Sequence, residues 1–178
     1  MAIWGIGNLI WFYYNISGVE TPYPSLADVG YLGMIPFAAA GLFIMLRGVK
    51  TDVDSRTLLK LAVLPGIVFA MVYIFFIQSK LAENTSTLLM ALNIAYPVGD
   101  MIFLSLALMI LSVVKGSKFS KPIAIICAGF IIEAFADFSF SWTATAGTYA
   151  VGGWVDILFV LAFSVIGIGM HYIKNINR

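Results

Sequence analysis

Of the nine acidic residues in the chain, Asp28, Asp100, Glu133, Asp137 and Asp156 stand inside or at the edge of long apolar stretches. A charged group in hydrocarbon costs about 2.5–3.5 kcal/mol on insertion scales, so such residues usually face a bundle interior or water, where they handle protons, cations or polar ligands. Gly129, Glu133, Asp137 and Ser141 recur every four residues and form one polar stripe on a helix. With no Lys or Arg in the body of any apolar stretch, Glu133 and Asp137 cannot both ionise cheaply. Either one carries a proton, or a cation or bound ligand supplies the missing charge. The packing alternative is a protonated carboxyl hydrogen-bonded to a neighbouring helix.

Asp28, Asp100 and Asp156 each read as a first-turn residue of a helix, where the macrodipole and the free backbone N–H groups favour a carboxylate. Capping and ligand contact both remain open for them. Asn8, Asn15 and Asn93 add amides, with Asn8 and Asn93 at membrane depth, as interhelical donors or as ligand contacts. Together with Trp11, Trp142, Trp154 and Tyr96, these groups are the candidate lining of an outward-opening acidic and aromatic pocket. For each Trp the alternative is interfacial anchoring.

The elements that hold these groups must be membrane helices. Of the 178 residues 61% are hydrophobic and 11% charged, with a mean hydropathy of +0.99, against roughly half apolar and a quarter charged in soluble domains. Apolar windows predict six transmembrane helices over residues 2–17, 26–46, 58–78, 97–114, 122–141 and 154–172. Residues 86–95 are apolar enough to extend the fourth helix or to lie along the interface, and Pro97 either kinks that helix or starts it. No linker divides the chain, so residues 1–178 read as a single transmembrane domain.

Charge sets the expected orientation. Arg47, Lys50, Arg56, Lys60, Lys115, Lys118, Lys121, Lys174 and Arg178 fall on one side, and of the ten basic residues Lys80 alone falls on the other. The positive-inside rule then predicts both termini in the cytoplasm. Tyr13, Tyr14, Tyr23, Trp142, Tyr149 and Trp154 gather at the outer connections as an interfacial belt would. Asn15-Ile16-Ser17 and Asn84-Thr85-Ser86 match the glycosylation pattern on that side. Residues 1–11 carry no basic n-region and no cleavage pattern, so they read as a retained helix.

An internal echo suggests three helical hairpins. Asn8 precedes Asp28 by 20 positions and Asp137 precedes Asp156 by 19, with aromatic residues and a glycine between them in both cases, and Pro97-Val98-Gly99-Asp100 is a weaker third copy.

Several functions lose support. No basic stripe suits nucleic acid. The single Cys127 and single His171 make no metal or haem cluster, and no Lys stands mid-helix in the last span for retinal chemistry, so no cofactor is expected. Cys127 reads as a buried structural thiol. Ala124, Ala128, Ser164 and Gly167 permit close helix contacts and a homo-oligomer.

The block Trp11-Phe12-Tyr13-Tyr14, then Pro22-Tyr23-Pro24-Ser25-Leu26-Ala27-Asp28-Val29-Gly30-Tyr31-Leu32 and Ala39-Ala40-Gly41-Leu42, resembles the multi-pass membrane input modules found ahead of GGDEF-type diguanylate cyclases and sensor histidine kinases. Tyr96-Pro97-Val98-Gly99-Asp100, Ala136-Asp137, Gly147-Thr148-Tyr149 and Gly152-Gly153-Trp154-Val155-Asp156 follow in the same order. The resemblance implies a sensory or ligand-binding module of a prokaryotic cytoplasmic membrane. No cyclase or kinase domain follows Arg178 in this sequence, so any output is expected either to run through a partner protein or to be absent. A weaker likeness, through Gly99-Asp100 and the acidic helix at Asp137, is to lysoplasmalogenase-like membrane hydrolases, with Asp100, Glu133 and Asp137 as acid and base.

The leading expectation is therefore a non-enzymatic module that binds a small apolar or cationic ligand. An intramembrane lipid hydrolase and a cation or proton carrier are the alternatives.

Overall fold

A computed structural model describes residues 2–18, 22–48 and 86–176 and, between them, 54–56, 59, 63, 66, 67, 70 and 74, without the side chains of residues 46–48, 93 and 145. The described residues form an all-helical bundle. Its helices are α1 (Ala2–Ser17), α2 (Leu26–Gly48), α3 (Thr87–Val113), α4 (Ser120–Thr145) and α5 (Trp154–Ile176). The last four are long and apolar enough to cross a membrane. At about 1.5 Å per residue, the 16 residues of α1 reach only about 24 Å, short of a hydrocarbon core of about 30 Å. The expected third span, residues 58–78, lies for the most part outside the described residues, as do Lys50, Lys60 and Lys80.

Of the two readings open for residues 86–95, the structure takes extension: the helix of the fourth span begins at Thr87, ten positions before Pro97, and passes through it. Ser86 supplies the start, its Oγ accepting from the Leu89 N–H over 3.3 Å. Proline is tolerated inside because neighbouring groups in a membrane bundle compensate for the freed carbonyl. Asp100 is consequently not a first-turn residue: it lies near the middle of α3, about 20 Å from its start. The third copy of the internal echo therefore fails as a helix start.

The other two copies have matching local chemistry. Asp28 Oδ2 accepts from the Ser25 N–H at 2.6 Å while Ser25 Oγ accepts from the Ala27 N–H at 3.2 Å, a reciprocal capping box. Asp156 Oδ2 accepts from the Gly152 N–H at 2.5 Å. Gly18 and Gly147, with φ of 69° and 65°, end the preceding helices in the left-handed region where a Cβ is penalised.

Packing follows the chain, with α1 against α2, α2 against α3, α3 against α4 and α4 against α5. Two of these pairs meet backbone to backbone. A Cβ on Gly30 would lie 2.6 Å from the Gly7 nitrogen, and one on Gly169 would lie 2.9 Å from the Pro122 carbonyl oxygen. Gly129 meets the Ala162 carbonyl in the same way, at 3.1 Å. Small residues allow this approach, which replaces the hydrophobic drive that lipid cannot supply. Ala124, Ala128, Ser164 and Gly167, by contrast, are exposed on the outside of α4 and α5.

The core fills only one half of the bundle. Phe103, Ile110 and Ile123 are fully buried there, and Phe103 stacks on Phe130 with ring centroids 5.3 Å apart. Cys127 is a free, buried thiol in this core. Lys115, Lys118 and Lys121 border the α3–α4 turn at this end, and Lys118 Nζ donates to the Ile176 carbonyl at 3.4 Å.

Candidate functional site: an acidic and aromatic cavity

The opposite half is hollow. A cavity of about 1040 Å³ is lined by residues from all five helices, a volume at the upper limit of small-molecule sites.

From α1 come Trp4, Asn8, Trp11 and Asn15, spaced by four, three and four and so on one helical face. The two amides are turned back on their own helix. Asn8 Nδ2 donates to the Trp4 carbonyl at 3.2 Å and Asn15 Nδ2 to the Trp11 carbonyl at 2.9 Å. Asn8 Oδ1 also accepts from the Tyr31 hydroxyl at 3.5 Å, a long bond that ties α1 to α2.

At the rim, each capping aspartate takes a tyrosine. Tyr96 donates to Asp28 Oδ1 at 2.6 Å, and Tyr149 to Asp156 Oδ1 at 2.8 Å. Burial, then the nearby Asp28 charge, pushes the Tyr23 phenol above its ordinary range. Burial also raises Tyr149, followed by its hydrogen bond to Asp156 and that residue's charge. These phenols therefore remain hydrogen-bond donors at neutral pH. Their rings join Trp11 and Phe140 in an aromatic collar: Phe140 lies 4.9 Å from Tyr149 and 6.1 Å from Tyr23, and Trp11 lies 6.2 Å from Phe140. Such edge-to-face pairs favour one ring arrangement.

Below the collar the acids converge. Asp100 of α3 and Asp137 of α4 are hydrogen-bonded to each other through their side chains. Carboxyl groups paired this way share a proton, since two carboxylates offer only acceptors. Glu133 is one turn deeper on α4 and 6% exposed, and its Oε2 is a buried oxygen with no hydrogen-bond partner. No Lys, Arg or His lines the cavity among the described residues. Among the described residues no group of three or more His, Cys, Asp or Glu is arranged to hold a metal ion.

The structure thus brings Asp28, Asp100, Glu133, Asp137, Asp156, Asn8 and Trp11 to one cavity. Trp142 and Trp154 are not among its lining residues; they are 58% and 56% exposed on the outside of the bundle. Asn93 is on α3, and its side chain lies outside the described residues. Asn15, the third amide considered in the sequence, also lines the cavity, whereas sequence reasoning did not single out Trp4, Tyr31 and Phe140 for the site. Their signal was helical spacing from residues it did choose: Trp4 shares the stripe of Asn8 and Trp11, while Tyr31 and Phe140 are three positions beyond Asp28 and Asp137.

No family model matches the chain, and no curated protein or solved structure matches it. The site is therefore read from its own geometry.

Proposed function

We propose that the chain is an integral membrane ligand-binding module, sensory in use, that takes a small and largely apolar molecule into the cavity. The observation that carries this reading is the cavity itself: about 1040 Å³, with apolar walls, an aromatic collar and a few convergent polar groups. A structural role alone requires no such space, because helix bundles otherwise pack to the density of organic crystals. In this reading the chain makes six spans in a prokaryotic cytoplasmic membrane with both termini inside, as the distribution of basic residues supports. The contact of Lys118 with Ile176 is in keeping with a shared side for the α3–α4 turn and the last helix. Output passes to a partner protein, and the exposed small residues of α4 and α5 favour pairing with a second copy.

Native mass spectrometry of the purified protein, with lipid extraction of released material, tests the binding role. A discrete bound species that weakens in Asp137→Asn is the expected result. A bare chain in both forms, equally stable, overturns it.

One observation favours a second reading. The hydrogen-bonded pair Asp100 and Asp137 beneath an apolar entrance suits acid and base catalysis on a lipid headgroup. Under that reading Asp100→Asn retains lipid but does not turn it over, and turnover by the variant removes Asp100 from the mechanism.

A further inference from the structure

Glu133 presents a problem that the bundle does not solve for itself. A buried polar oxygen without a partner is destabilising, and nearly all such atoms in folded proteins are satisfied. Glu133 Oε2 is buried, lacks any partner and belongs to a side chain that lines the cavity. The group that completes it must bring a hydrogen to donate. Positive charge suits it as well, because Asp100 and Asp137 share the floor with Glu133 and no cationic side chain lines the cavity among the described residues. A desolvated ammonium is also favoured by aromatic faces, and Trp4 lines the same cavity.

We propose that the ligand is an amphiphilic primary or secondary amine, with its protonated nitrogen donating to Glu133 at the cavity floor. The proposal rests on the ligand-binding reading above and names the class of ligand. Size and openness support the amphiphile. The cavity is far larger than an ammonium group, and Ile131 and Phe135, which line it on either side of Glu133 in sequence, are each 54% exposed. An alkyl chain therefore has a way from the floor to the apolar exterior while its head remains at Glu133. A quaternary ammonium brings the charge but no N–H, and an alcohol brings the hydrogen without charge.

Three probes with one tail separate these features: dodecylamine, dodecanol and dodecyltrimethylammonium. Each is titrated calorimetrically at pH 7 into the full chain in phosphatidylcholine nanodiscs, with empty nanodiscs subtracted. Dodecylamine is expected to bind about tenfold tighter than either relative, the worth of one charge-assisted hydrogen bond. Glu133→Gln is expected to abolish that preference while still binding the tail. Dodecanol binding as tightly as the amine, or the quaternary probe binding tighter, overturns the amine assignment and leaves a ligand-binding module standing. Binding of none of the three overturns both. The comparison among probes needs only the unaltered protein, so a poorly folded variant does not obscure it.

Discussion

The Tyr96 hydroxyl donates to Asp28 Oδ1 at 2.6 Å, joining residues 68 positions apart where α3 passes the first turn of α2. The same carboxylate closes the capping box with Ser25, so one side chain both starts a helix and fixes its neighbour. Asp28 is 8% exposed, and water does not readily replace a lost donor there. Tyr96→Phe is expected to lower stability by about 1.5–3 kcal/mol, the usual cost of removing a hydrogen bond to a charged group. Thermal unfolding in detergent measures it, and a midpoint equal to that of the original protein refutes it.

Asp156 gives a graded case. Replacing it with Ala removes the contacts to Gly152 N–H and to Tyr149, with an expected loss of about 1–2 kcal/mol. Asp156→Asn keeps an acceptor and is expected to lose less than half of that. Equal losses in the two variants show that charge, and not capping, is what α5 needs.

The glycine contacts predict a contrast between two alanine substitutions. Gly30→Ala places a Cβ 2.6 Å from the Gly7 nitrogen, and such overpacking costs about 1–3 kcal/mol. Gly41→Ala meets nothing within 4 Å and is expected to be neutral or slightly stabilising. Protease cleavage of α1 at fixed temperature, fast in the first variant and unchanged in the second, is the readout. Equal cleavage rates contradict the close approach of α1 to α2.

Alkaline pH is expected to loosen the rim. Tyr23 and Tyr149 titrate above the value of 10.0 that an unfolded tyrosine shows, so the folded state holds these protons more tightly. Their contribution to stability is complete below about pH 10 and declines as pH rises past it toward the folded-state values. Melting midpoints between pH 8 and pH 11.5, followed with tyrosinate absorbance, test this. A flat midpoint across that range, with early ionisation of every tyrosine, contradicts it.

The parts of this arrangement visible in the sequence were those that depend on one helix at a time. Apolar length located α1 to the residue and α2, α4 and α5 to within a few positions. The spacing of four placed Glu133, Asp137 and Ser141 on one stripe, and all three line the cavity. What failed depends on two helices. Asp100 reads as a first-turn residue only if a helix starts at Pro97, and α3 instead continues through that proline. The depth at which Asp100 meets Asp137 is set by how α3 and α4 slide past one another, which neither helix encodes alone. Trp11 and Trp142 are chemically alike and both near the rim, yet one lines the cavity and the other is exposed outside. Which way a tryptophan faces in a helix that is apolar all round is decided by its neighbours.

The glycine contacts have a mechanical consequence. Backbones that touch at Gly7 and Gly30 cannot slide, and neither can those locked at Gly129 and Gly169. Two stiff leaves result, one made of α1 and α2 and the other of α4 and α5, with α3 as the spine and the hollow half between them. Among the described helices, separation of these leaves keeps these glycine contacts intact. Whatever occupies the gap sets the opening angle, and the far ends of the helices move in proportion to their length.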